Sequence, residues 1–186
     1  MTPIPAPRPV PSRPTARTLY EGGWLRLRAC GAWEYAERTR ARGAVVIVAV
    51  TPADEVLFVE QFRVPVAQWT IEMPAGLVGD GAGMGDESAL TAAARELEEE
   101  TGWRPARVDF LHEGPSSAGM SSEQIAFVRA RNLTRTGPGG GDASEDIRVH
   151  AVPRPEAHAW LRACAQAGYS IDPKLFAGLW FLEHGA

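Results

Sequence analysis

The chain has 186 residues, 45% of them hydrophobic and 23% charged, which is enough apolar material for one buried core and too little length for two ordinary domains. Nineteen Lys and Arg stand against 23 Asp and Glu, a net charge of -4, which argues against the broad basic field that non-specific nucleic-acid or membrane-surface binding needs. Any phosphate-bearing ligand must then be met by local cations or by a metal.

Lys174 is the only lysine, and every other basic residue is arginine. Abundant Ala, Gly and Pro make composition bias the simple reading, although arginine forks suit phosphates. Two cysteines, Cys30 and Cys164, are too few for a metal cage or a disulfide framework, so a reducing compartment is expected. The N-terminus lacks the apolar segment of a signal peptide, and no run approaches the roughly 18 apolar residues of a membrane span. The expected localisation is cytoplasmic. His112, His150, His158 and His184 match no metal-ligand spacing and read as ordinary histidines.

In chain order, residues 1–17 carry Pro3, Pro5, Pro7, Pro9, Pro11 and Pro14, a composition that favours extended polyproline conformations and reads as a disordered or loosely docked tail. WLRLRAC and WEYAERTR then alternate apolar and polar residues around a glycine, which predicts a β-hairpin over 18–40. GAVVIVAV (43–50) and EVLFVEQFR (55–63), joined by the turn TPAD, read as buried neighbouring strands. A short strand over 69–73 and a Gly-rich stretch over 76–86 follow. Ser88 to Thr101 predicts a helix capped by Ser88 and ended by Gly102. Strands are expected at 107–113, 124–133 and 147–153, a flexible loop at 136–145, and amphipathic helices at 155–168 and 172–183. Strands mixed with three helices point to a layered α/β domain.

The most informative stretch is AAARELEEETGW, residues 92–103. Glu96, Glu99 and Glu100 stand at i, i+3 and i+4 and so project from one side of the helix, while Glu98 points away and Leu90, Ala94 and Leu97 form an apolar stripe. Like charges at this spacing repel, and in the last turn the helix dipole disfavours them as well. A solvated acidic face is the plain reading of the charges alone. A divalent cation would compensate both penalties, and such hard oxygen donors suit Mg²⁺ or Mn²⁺.

Residues 81–103 follow the pattern G-x₅-E-x₇-R-E-U-x-E-E-x-G-U, with U a bulky apolar residue, through Gly81, Glu87, Arg95, Glu96, Leu97, Glu99, Glu100, Gly102 and Trp103. This resembles the complete box of the Nudix hydrolases. EGGWLRLRACGAWEYAERTRARGAVVIVAV, EVLFVEQFR, IEMPAG, SSAGMSSEQIAFVRARNL and DPKLFAGLWFL extend the resemblance over about residues 18–183, toward the ADP-ribose (ADP-sugar) pyrophosphatase branch. It implies an α/β/α sandwich with a mixed sheet, preceded by an N-terminal antiparallel hairpin. It divides the chain into a tail (1–17), a hairpin for dimerisation and base binding (18–41) and a Nudix domain (42–186). The activity implied is Mg²⁺-dependent hydrolysis of ADP-ribose or a related ADP-sugar to AMP and a sugar phosphate, by a homodimer with exchanged N-terminal strands. The alternatives are another nucleoside diphosphate derivative, such as GDP-mannose, NADH or a different dinucleotide, and a non-catalytic nucleotide-sensing module.

By the same resemblance Glu96, Glu99 and Glu100, the carbonyl of Ala75, and Glu123 bind metal, with Glu123 or else Glu99 as the base. Glu87 braces the loop through Arg95. Arg38 and Arg63 reach substrate phosphates. Trp24 and Trp33 sandwich the adenine, one from each subunit, with Glu34 beside the base and Glu72 near the terminal sugar. Structural readings stand beside these: hairpin core for Trp24 and Trp33, a surface cation for Arg63, a loop cap for Glu123. Two departures bear on geometry. In the branch it resembles, the box glycine is that of Pro-Ala-Gly, here Gly76, yet ten residues separate Gly76 from Glu87 and the five-residue spacing is met from Gly81. The 115–123 loop has Ser117-Ala118 in place of a proline and Ser122 in place of an aspartate, which bears on its rigidity.

Overall fold

The computed structural model describes residues 2, 5–80, 85–141 and 145–185; Gly81 therefore lies outside the described residues. The tail has no regular secondary structure over 5–16, but its last residues lie against the first sheet, where the Cys30 thiol donates to the Pro14 carbonyl at 3.1 Å and Arg28 Nη2 donates to the Ala16 carbonyl at 3.3 Å. The expected hairpin, β2 (Leu25–Cys30) and β3 (Trp33–Arg38), gains an outer strand β1 (Arg17–Glu21), giving an antiparallel sheet β1-β2-β3. The Gly22-Gly23 turn between β1 and β2 lets so short a strand fold back.

Two four-stranded sheets form the body. One has the order β7-β4-β9-β8, from β4 (Gly43–Ala49), β7 (Ala75–Val78), β8 (Trp103–Pro115) and β9 (Gln124–Arg135). The other has the order β10-β5-β6-β11, from β5 (Glu55–Arg63), β6 (Gln68–Glu72), β10 (Arg148–Pro153) and β11 (Ser170–Ile171). Both are mixed, with β4–β9 and β6–β11 parallel. The two apolar runs expected to be neighbouring strands thus fall in different sheets, joined only by an isolated bridge between Val50 and Val56. Each is a central strand buried on both faces, and that is why each run is apolar throughout. Strands β7 and β11, four and two residues long, are too short for an alternation to register in the sequence.

Alternate residues of β4 enter different cores. Val45, Ile47 and Ala49 pack with Ala92, Ala93 and Leu97 of helix α1 (Ala89–Thr101). Val46 packs with Phe58, Ile71 and Met73 beneath α2 (Ala157–Gln166) and α3 (Lys174–His184), which contribute Leu161, Leu175 and Leu179. Helices therefore lie on both sides of the sheet layer. No helix among the described residues is long and apolar enough to cross a membrane.

Candidate active site

Helix α1 starts where Ser88 Oγ accepts the Thr91 amide at 3.1 Å and stops at Gly102, which adopts a left-handed φ of 71°. Its buried side differs from the expected stripe: Ala92, Ala93, Leu97 and Thr101 are buried, Ala94 is half-buried, and Leu90 is exposed. The small alanines allow the closest approach to the sheet, and the larger Leu90 is left outside. Glu100 lies one turn after Leu97 on this buried side and is only 2% exposed.

The helix end is covered by the segment expected to be a flexible loop. The amides of Gly140 and Gly141 donate to the Glu100 and Glu99 carbonyls at 2.8 and 3.1 Å, and those of Thr136 and Gly137 to the Gly102 carbonyl at 2.8 and 3.2 Å. These donors occupy carbonyls that a helix otherwise leaves orphaned. The approach is so close that a Cβ on Gly102 would stand 2.1 Å from the Gly137 carbonyl oxygen. Glycine is needed there both for the backbone angle and for the space.

Two carboxylates of α1 face β7. Glu100 Oε2 accepts the Ala75 amide at 3.0 Å. Burial holds its carboxyl well above the ordinary range, with the Ala75 amide opposing and Glu96 adding repulsion. Burial also pushes Glu96 up to about 7, against the pull of Arg95. Gly76 lies directly beneath Glu96, where a Cβ would come within 2.1 Å of the glutamate side chain. Gly76 thus stays against the helix although ten residues separate it from Glu87. Glu99 is half exposed and lies off the cavity wall.

Arg95 ties the acidic groups together. Its Nη1 lies 2.9 Å from Glu96 and 3.0 Å from Glu99, while Nε and Nη2 each donate to Glu87 at 3.3 Å. Burial works against its charge, but Glu87, Glu96 and Glu99 outweigh that and hold it cationic. Glu87 also accepts the Gly79 amide at 3.4 Å, linking the box loop to the helix. Among the described residues no group of three or more His, Cys, Asp or Glu side chains is gathered closely enough to hold a metal ion; Glu96 and Glu99 instead share the Arg95 Nη1. The donor set still fits a hard divalent ion: burial disfavours the charged forms of Glu96 and Glu100, and a bound cation would offset that cost.

These groups open into a cavity of about 630 Å³. Glu96, Glu100, Ala75 and Gly76 line one wall, and Arg38 with Glu123 another. Arg38 Nε donates to Glu123 in an ion pair. The Glu123 loop is closed by its own hydrogen bonds, Ser116 N to Glu123 O at 3.0 Å and Met120 and Ser121 N to Ser117 O at 2.9 Å, and is tied to β3 by Ser122 N to Ala36 O at 3.0 Å. Backbone hydrogen bonds thus brace the loop, with the Ser121 hydroxyl accepting the Glu123 amide at 3.0 Å. Arg63 makes a bidentate pair with Glu72, at 2.6 and 2.8 Å, on the sheet floor, and Glu72 holds its guanidinium charged despite burial.

The cavity also gathers residues that sequence reading missed. Gln61, Asp80, Glu145, Asp172 and Lys174 all line it. Lys174 pairs with Asp172 at the start of α3. Only its singularity pointed to that lysine, and composition bias obscured the signal. Trp24, Trp33 and Glu34 are exposed and do not line the cavity within one chain. Trp24 packs under the Arg40 guanidinium, 5.0 Å from the ring centre. Trp24 precedes β2, while Trp33 pairs with Cys30 at its far end. Six residues of strand at about 3.3 Å each separate the two backbone positions by about 20 Å, whereas stacked rings lie about 4.5–7 Å apart. One chain cannot close both on one base.

The Nudix domain family model matches residues 40–166, more than half of the chain. The chain belongs to the Nudix family. It is 31% identical over 127 residues to a methanol dehydrogenase activator of Bacillus methanolicus, covering 68% of this chain and 66% of that protein. It is 32% identical over 130 residues to an ADP-ribose pyrophosphatase of Escherichia coli, covering 66% of this chain and 60% of that protein. The match thus spans less than two thirds of either relative's length. A crystal structure of an ADP compounds hydrolase superposes with a TM-score of 0.70 at 20% identity, covering 93% of this chain and 92% of that one, and so shares the Nudix fold.

Proposed function

We propose that this Nudix protein hydrolyses the diphosphate of ADP-ribose or a related ADP-sugar to AMP and a sugar phosphate, using a divalent cation, Mg²⁺ in the first instance. The carrying observation is the single cavity that joins the buried box carboxylates Glu96 and Glu100 to Glu123 and to the phosphate-compatible cations Arg38 and Arg63. The Escherichia coli ADP-ribose pyrophosphatase, a relative at 32% identity, supports the choice of substrate.

Glu96, Glu100, Glu123 and the Ala75 carbonyl would hold the cation, with Glu99 at the edge. When bound, it neutralises diphosphate charge and acidifies a coordinated water. Arg38 and Arg63 orient phosphate oxygens for in-line attack. Both arginines are paired with carboxylates before substrate arrives, Arg38 with Glu123 and Arg63 with Glu72. A phosphate that takes over Arg38 frees the Glu123 carboxylate, which then accepts the proton of the attacking water. The water oxygen bonds to phosphorus as the bridging P–O bond breaks, giving AMP and the sugar phosphate.

The N-terminal sheet supports a homodimer, because Tyr20, Leu25 and Leu27 stand exposed on one of its faces and such a cluster is normally covered. A second copy would also bring its Trp33 to the first copy's Trp24. Release of AMP from ADP-ribose with Mg²⁺ tests the activity; cleavage of GDP-mannose or NADH in preference would reassign the substrate. Wild-type turnover in Glu100→Gln would sink the metal assignment.

A further inference from the structure

The wall of the cavity on the second sheet carries chemistry that the metal site does not use. Gln61, on β5, is 8% exposed and lines the cavity, yet its side-chain amide makes no hydrogen bond among the described residues. Its amide atoms are not among the fully buried, unpartnered ones, so they meet the cavity, where a ligand can bond them. Its ladder partner is Thr70 of β6, 6% exposed, whose hydroxyl makes only a long 3.4 Å contact to the Gln68 carbonyl. Thr70 in turn pairs with Ser170 of β11, and all three line the same cavity.

One rung across three strands thus presents an amide and two hydroxyls, spread over about 10 Å at the ordinary strand spacing. The row is neutral and offers both donors and acceptors. A phosphate would be met instead by cations, and the row Gln61–Thr70–Ser170 carries none. An apolar group would leave the Gln61 amide unpaired. A ring bearing several hydroxyls matches the row.

We propose that the rung Gln61–Thr70–Ser170 reads the hydroxyls of the non-nucleotide half of the substrate and makes the protein selective for a polyhydroxylated group there, with Gln61 the principal specificity-determining residue. The inference rests on the diphosphate-hydrolase reading. The test compares ADP-ribose with the propyl ester of ADP, which keeps the diphosphate and adenosine but carries no hydroxyls on the second half. Wild-type kcat/KM should favour ADP-ribose by about 10²-fold or more, since a site built to bond a hydroxyl rejects an analogue lacking it. Gln61→Leu, of similar size, should raise KM for ADP-ribose about tenfold, leave kcat nearly unchanged and leave the propyl ester untouched. Thr70→Val should act in the same sense. Equal losses on both substrates, or no change on either, overturn the proposal.

A second readout separates this failure from failure of the activity. Ribose 5-phosphate should raise the Tm of the wild-type protein more than inorganic phosphate does, and Gln61→Leu should erase the difference. If neither ADP compound is cleaved but that difference is present and lost in the variant, the sugar-reading rung stands and the hydrolase reading falls. Equal shifts from the two ligands in wild type overturn the rung.

Discussion

At the scale of single residues, Glu100 shows how position alters the meaning of a side chain. It lies on the same helical face as Leu97, is nearly inaccessible, and costs stability whenever it ionises without a cation. Glu100→Gln keeps an acceptor for the Ala75 amide and removes that cost. The expected outcome is a metal-free Tm equal to or above wild type, with turnover reduced about 10²-fold or more, measured by thermal melts in chelator beside AMP-release assays. Glu123→Gln should lower kcat by about 10²–10⁴-fold with little change in Tm, since its loop is held by backbone hydrogen bonds. Gly76 was legible only as part of a motif. Its physical reason, a Cβ that would collide with Glu96, depends on two segments twenty residues apart meeting face to face.

At the scale of elements, α1 was legible from Ser88 to Gly102 because its capping and alanine-rich interior are local. Its rotation was not, since four alanines and two leucines leave the buried side undecided until the sheet selects the one that packs closest. Leu97→Ala should cost about 2–5 kcal/mol in denaturant melts, whereas Leu90→Ala should cost little. The glycine loop 136–141 looked like a spacer because backbone amides leave no mark in side-chain pattern; its docking holds the carbonyl end of the metal helix. Gly102→Ala combines a left-handed φ with a collision against Gly137 and should cost about 1–3 kcal/mol, read as a lowered Tm. The pH response belongs to this helix too. The Glu96 carboxyl, ordinarily near 4.5 and here raised to about 7, binds its proton more tightly folded than unfolded. Metal-free stability from this group is therefore greatest below about 4.5 and falls as pH rises through 7. A divalent cation binds the deprotonated form, so the gain in Tm from Mg²⁺ should be larger at pH 8 than at pH 6.

For the whole molecule, the opening charge balance acquires a location. Glu96, Glu98, Glu99 and Glu100 equal the net excess of four negative charges, but they are not equivalent. Glu98 is paired with Arg104 at 2.7–2.8 Å, Glu99 with Arg95, and Glu96 and Glu100 are drawn into the cavity wall. Assembly is the remaining question at this scale, and the separation of Trp24 from Trp33 makes it testable. Trp24→Ala and Trp33→Ala should each weaken substrate binding. If each base site takes one ring from either copy, co-expression of the two variants should restore roughly a quarter of the sites, because half of the dimers are mixed and each of those holds one intact pair. No recovery in activity titrations would count against exchange.

By itself the sequence determined the family, the helix and its carboxylates, and most strands, because caps, alternation and motif spacing are properties of neighbouring residues. Tertiary structure alone decided that β4 and β5 belong to different sheets, that Arg95 bridges Glu87, Glu96 and Glu99, and that Gln61, Thr70 and Ser170 share one rung of the cavity. Those facts depend on register and burial between segments as much as 109 residues apart, where the chain's local preferences carry no information.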